Sequence, residues 1–222
     1  MKAMVVRVPG GIDVLKIEQI PDPTPGPKDV IIKIDACGVC FHDVVTRNGT
    51  LKFGVQMPCI LGHEISGTVV EVGRAVRGFR KDDRVATVQR YHICGACRYC
   101  RSGREPLCPD RKFTGDWGLV GGYAEYAAIE DDNIALVPEE VPLQDASIVA
   151  CAIGTILNAV GSVAATGAGA LAVGAAATTI TWVVCCAAPT WVVQPRQLAR
   201  PHPLTRKQPR RRMMPARAGV RR

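Results

Sequence analysis

Apolar and polar residues alternate with a period of two through most of the first 138 residues, in short runs cut by glycine and proline. Residues 2–20 alternate in this way, then Pro21-Asp22-Pro23-Thr24-Pro25-Gly26-Pro27 interrupts before a second run, Asp29-Val30-Ile31-Ile32-Lys33-Ile34. The pattern predicts two strands about a proline-rich turn, because proline lacks the N–H that a ladder needs. Further strands are predicted over Ile65–Val72, Val85–Val88, Gly121–Ile129 and Asn133–Val137. Many short strands punctuated in this way suit a small barrel or partly open antiparallel sheet, so the fold class is mainly β. From Pro142 to Val160 the apolar spacing lengthens to that of helix faces, with Asp145 suited to a helix start, and a short helical region is expected.

Composition changes this picture little, except at one end. The 222 residues allow one large or two small domains, and 47% hydrophobic content is ordinary for a globular chain. The start, Met1-Lys2-Ala3-Met4-Val5-Val6, reads as a strand rather than a leader, so a cytoplasmic protein with reduced cysteines is expected. The net charge of +8 is local: from Pro189 onward there are nine arginines and Lys207, and no acidic residue follows Asp145. Without those ten cations, residues 1–188 hold 18 basic and 20 acidic side chains, a balance of −2. An argument for nucleic acid from overall charge therefore rests on the tail alone.

Four cysteines stand out next. Cys94-Gly95-Ala96-Cys97-Arg98-Tyr99-Cys100, closed by Cys108, has the spacing of a structural zinc site, in which four thiolates fill a tetrahedron and leave no position for substrate. Disulfides or separately packed thiols are the alternative. Elsewhere, Cys40, His42 and Asp43 lie within four residues on a loop that leaves a strand, a candidate site. His63 and Glu64 stand at the mouth of a strand, where an isolated histidine would be an ordinary satisfied side chain. Cys151 falls in the expected helical region.

Taken in order, Gly38-Val39-Cys40-x-x-Asp43, Gly62-His63-Glu64-x-x-Gly67, the four-cysteine lobe, Gly121-Gly122-Tyr123-Ala124-Glu125-Tyr126 and Cys151 resemble the N-terminal, GroES-like catalytic domain of zinc-dependent medium-chain alcohol dehydrogenases. The resemblance implies a partly open GroES-like barrel with a structural-zinc lobe at about residues 90–115. It also implies a second, catalytic zinc on Cys40, His63 and Cys151 with one open position, Asp43 orienting His63, and Glu64 behind the metal. NAD or NADP, a small-molecule substrate and, in intact relatives, a homo-oligomer are implied too. Cys37 and Cys59 fit no ligand position and are expected to be packed thiols. Two departures matter. His42 occupies the position where many relatives carry Ser or Thr to pass on the substrate proton; imidazole can relay a proton, but enoyl-thioester reductases of the acryloyl-CoA type also lack that hydroxyl. Asp82 stands where the family usually has Gly, a modest cost if that turn needs a positive φ.

A complete relative would continue into a Rossmann domain, and this chain is expected to leave that sequence, by truncation or a shifted frame, near residues 161–166. Gly167-Ala168-Gly169-Ala170-Leu171-Ala172 follows no convincing strand and precedes no acid for a ribose, so cofactor-binding residues are not assigned. The expected division is residues 1–140 as catalytic domain, 141–160 as helical connection, and 161–222 as an Ala/Gly-rich, then Arg/Pro-rich disordered tail. Residues 171–193 form 23 uncharged positions, long enough for a bilayer but weakly apolar, and the basic end could meet phosphates without any base-reading module. Neither membrane nor nucleic acid is the expected partner. The expected function is a zinc-dependent, NAD(P)-linked oxidoreductase on an alcohol or aldehyde, inactive as this portion alone. The alternatives are an enoyl-thioester reductase and a non-enzymatic zinc-stabilised β module with a binding tail.

Overall fold

The computed structural model describes residues 1–157 and 159 and the short strand 192–193. The chain opens with an antiparallel hairpin, β1 (Lys2–Val6) and β2 (Lys16–Gln19), joined through a 3-10 turn at Ile12–Val14. This corrects the single strand expected over residues 2–20. Pro9-Gly10-Gly11 ends the extended run, the chain reverses, and Lys2 faces Gln19. The proline-rich segment then leads into β3 (Asp29–Gly38), the longest strand.

After β3 come helix α1 (Phe41–Arg47), β4 (Cys59–Ile60), β5 (Glu64–Val72), β6 (Arg84–Thr87) and β7 (Arg90–His92). Beyond the cysteine lobe lie β8 (Lys112–Phe113), β9 (Tyr126–Glu130), β10 (Ile134–Leu136), helix α2 (Leu143–Ser147) and one π-helical turn, Val149–Ile153. Val192–Val193 form β11. The main sheet runs β10-β6-β5-β3-β11, with β9 also on β3; β2-β1-β4 and β7-β8 form smaller sheets. All named pairs are antiparallel, and the sheets do not close into a barrel. One edge of β3 is shared: Asp29–Lys33 meet β9, while Cys37 and Gly38 meet β11.

The core lies between the main sheet and the hairpin sheet. Val30, Ile32 and Ile34 of β3, Ile65 and Val69 of β5, Val85, Ile129, Val5 and Ile60 are all at most 3% exposed. Each such side chain contributes about 1.5–3 kcal/mol by leaving water. The two sheets are stitched by Met4 N–H to the Tyr123 carbonyl at 2.7 Å and by the bridge of Ala3 with Ala124. At the turn before β6, Asp82 has φ 72°, the positive φ at which a side chain carries a modest cost. No helix among the described residues is long and apolar enough to cross a membrane. Apart from β11, the tail beyond residue 160, with the glycine run and the uncharged stretch, lies outside the described residues.

Candidate metal centres and the adjoining cleft

Two groups of ligand-type side chains converge. Cys94, Cys97, Cys100 and Cys108 place their sulfurs within 4.8 Å of one another, and so do the ligand atoms of Cys40, His63, Glu64 and Cys151. In the first group Sγ–Sγ distances are 3.5 Å for Cys97–Cys100, 3.6 Å for Cys94–Cys108 and 3.9 Å for Cys94–Cys100. Four thiolates at about 2.3 Å from a tetrahedral zinc stand roughly 3.8 Å apart, so the quartet fits that ion. The thiols of the lobe differ: desolvation and the neighbouring Cys97 and Cys108 push Cys100 up to about 12. The Cys97 N–H donates to Cys94 Sγ at 3.3 Å, and backbone donors from Ala96 and Cys97 bring the Cys94 thiol down to about 7.

The second group is assembled from three separate elements. Cys40 is the N-cap of α1: its side chain takes the third-residue N–H, and Asp43 reaches back to the Cys40 N–H at 2.9 Å. This reciprocal cap fixes Cys40 and Asp43 relative to each other. His63 immediately precedes β5, and Gly62 before it has φ 92°. A side chain at Gly62 would meet Cys37 Sγ and the Tyr123 ring, both at 2.8 Å, so glycine is required by conformation and by space. Cys151 arrives on the π-helical turn, an irregularity that often marks functional positions. Its sulfur lies 3.9 Å from that of Cys40, again a separation suited to two thiolates on one zinc.

Asp43 ties these elements together. One carboxylate oxygen accepts the Gly62 N–H at 3.1 Å and lies 3.5 Å from His63 Nδ1; the other accepts Tyr123 Oη–H at 2.9 Å. His63 and Glu64 are 3% and 1% exposed, and His63 Nδ1 and Glu64 Oε2 have no hydrogen-bond partner. Nδ1 faces the Asp43 carboxylate, so of these two atoms the buried Glu64 Oε2 is the one that a bound cation would satisfy. Cys151 hydrogen-bonds Cys40, which together with His63 pulls the Cys40 thiol down to about 4, while Cys151 itself is pushed up. Burial alone would lower the His63 pKa, but Asp43 and Cys40 raise it to about 10; burial lifts Glu64 to about 7. Burial of Cys37 holds its thiol well above the usual range.

His42 stands beside this group, its ring edge-on to His63 with centroids 5.1 Å apart. Its Nε2 is 2.7 Å from Oδ2 of Asp116, whose Oδ1 accepts Thr46 Oγ1–H at 2.9 Å. Asp116 is 3% exposed and raises the pKa of His42. Sequence reasoning missed Asp116 and the role of Tyr123, since no spacing rule links position 116 to position 42. His42 also separates two hollows. One, of about 170 Å³, is lined by His42, His63, Gln89, Phe113, Thr114 and Cys151. The other, an open cleft of about 730 Å³, runs from His42 toward Phe53, Trp117 and the end of the cysteine lobe.

Residues 26–139 match the alcohol dehydrogenase GroES-like domain. The chain belongs to this family. The alcohol dehydrogenase-like chain is 36% identical over 138 residues to an alcohol dehydrogenase of Geobacillus stearothermophilus, covering 62% of this chain and 40% of that protein. It is 37% identical over 160 residues to the acryloyl-coenzyme A reductase of Sulfurisphaera tokodaii, covering 72% of this chain and 46% of that protein. Among solved structures, it resembles a cobalt- and zinc-bound thermostable alcohol dehydrogenase of Pyrobaculum aerophilum, with a TM-score of 0.65, 32% identity and coverage of 71% and 47%. This dehydrogenase-type chain thus spans less than half the length of the curated relatives it matches.

Proposed function

We propose that this chain supplies the zinc-holding catalytic portion of an NAD(P)-linked oxidoreductase that moves hydride between nicotinamide and an alcohol or aldehyde. The observation that carries the reading is the convergence of Cys40, His63 and Cys151 beside a separate four-cysteine lobe. Three protein ligands with one open position are the requirement of a catalytic zinc, whereas four thiolates make a closed structural one. When bound, the zinc supplies a Lewis acid that polarises an alcohol or carbonyl oxygen.

The chain's own residues then divide the work. Cys40, His63 and Cys151 would hold the metal, and Asp43 would keep His63 turned toward it. Glu64 lies behind the group as a buried acid. His42 holds the exchangeable proton on its ring and passes it between the cleft and solvent, with Asp116 fixing the ring through Nε2. NAD or NADP is the hydride partner in this reading.

A second reading, reduction of an activated double bond in an enoyl thioester, is favoured by His42 in place of a hydroxyl and by the likeness to an acryloyl-coenzyme A reductase. The metal assignment is tested by elemental analysis of the purified chain. Two equivalents of zinc are expected at saturation, falling by one in His63→Ala; a saturated wild-type content of one or less would sink the two-site assignment.

A further inference from the structure

The open cleft holds a charge pattern that the proton chemistry at His42 does not use. Phe53, Phe113 and Trp117 make its lining apolar, and Arg111 and Lys112 stand in its wall. Both cations are drawn against aromatic faces. The Arg111 guanidinium carbon is 5.5 Å from the Phe113 ring centre, and Lys112 Nζ is 5.4 Å from that of Trp117. Neither joins an ion pair among the described residues. The other charged groups of the cleft are mostly committed: Asp116 to His42 and Thr46, and His92 Nδ1 to Glu130 at 2.7 Å. Asp110, exposed at the rim, is the one lining carboxylate without such a partner.

We propose that the cleft takes a substrate with an anionic head, carboxylate or phosphate, at the end of an apolar segment, the head read by Arg111 and Lys112 and the reacting carbon placed at the His42 end. The assignment rests on the oxidoreductase reading for which end reacts, but recognition of the head does not. A cleft of about 730 Å³ has the volume of a small-molecule site, and its aromatic lining suits an aliphatic or unsaturated chain. A neutral alcohol accepts only single hydrogen bonds from the two cations, whereas an anion gains charge-assisted hydrogen bonds from both. Arg111 Nη1 donates to the Cys108 carbonyl at 3.0 Å and each cation rests on an aromatic face, so both heads are partly ordered beside the cleft before an anion arrives, which lowers the ordering cost of binding.

The test is calorimetric titration of the zinc-loaded full chain at low ionic strength with 1-hexanol, hexanoate and hexyl phosphate. At least one anion should bind about 10-fold or more tighter than hexanol, and the tighter of the two identifies the head. In the double variant Arg111→Gln/Lys112→Gln that preference should fall below about 3-fold. Hexanol binding as tightly as both anions, or a preference unchanged in the double variant, overturns the proposal. The latter outcome would place the anion at other groups, which the variant retains. Arg111→Gln alone, at an exposed position, guards against misfolding of the pair and should lose part of the preference. Zinc content separates the two readings. Full zinc without anion preference sinks only the cleft assignment, and anion preference without His63-dependent zinc sinks only the metal assignment.

Discussion

Single residues in this chain are placed by needs that differ from site to site. Asp82 is exposed and sits at φ 72°, while its N–H donates to the Val69 carbonyl at 2.9 Å. The backbone at this turn is therefore held in a conformation that disfavours any side chain, and Asp tolerates it better than most. Asp82→Gly removes that strain without deleting a buried contact. It should stabilise the fold by about 0.5–1 kcal/mol, seen as a melting-temperature rise of roughly 1–4 °C; a fall would show that the Asp side chain contributes something the geometry does not reveal. The opposite case is His42, whose partner Asp116 lies 74 positions away and joins it only through folding. A change in the local motif, His for Ser or Thr, is visible in the sequence, but the carboxylate that holds the ring is not.

At the scale of elements, the proposed three-ligand site is a junction rather than a motif. The N-terminus of α1, the start of β5 and the π-helical turn each deliver one ligand, and the Asp43 carboxylate binds the first two elements to each other and to Tyr123. Asp43→Asn keeps the volume but removes the charge facing His63 and an acceptor for the Gly62 or Tyr123 donor. Metal affinity at this site should fall by about 10–100-fold, with the four-cysteine site unchanged, measured by zinc retention against a graded chelator. Tyr123→Phe, which leaves the carboxylate charged, should weaken zinc retention less and cost about 1–3 kcal/mol of stability. Equal zinc loss from both sites in Asp43→Asn would mean that the carboxylate holds the fold rather than His63.

The same scale explains what the sequence revealed. Period-2 runs such as Ile65–Val72 are legible because burial on one face forces alternation, and the ligand trio is legible only through its ordered family pattern. The first hairpin was hidden because β1, the turn and β2 together mimic one long alternating run, and their separation depends on Gly10-Gly11. The Ser66 hydroxyl bonding the Leu143 carbonyl, which brings α2 and hence Cys151 over β5, has no sequence signature.

Across the whole molecule, stability is divided unequally, and that division gives the two metal centres different consequences. The sheets share a continuous apolar core reaching from Val5 through Ile32 and Ile65 to Ile129. The cysteine lobe has only two 3-10 turns, Cys100–Ser102 and Glu105–Leu107, its Cys108 is buried, and Leu107 is 52% exposed. A segment with so little apolar burial would draw its order from the proposed zinc, since ligand binding there is folding free energy. Stripping zinc with an excess of strong chelator should therefore open the lobe and leave the sheets folded. Arg98, Arg101 and Arg104 are exposed within it and offer trypsin three sites. Cleavage at these positions should rise by about 10-fold or more on chelation, while the strands at 29–38 and 64–72 stay protected, as read by mass spectrometry of brief digests. Cys97→Ser should reproduce the nicking without chelator, and His63→Ala should not. Nicking that is unchanged by chelation would show that the lobe holds itself together, and digestion of the core strands at the same rate would show that the two regions unfold as one.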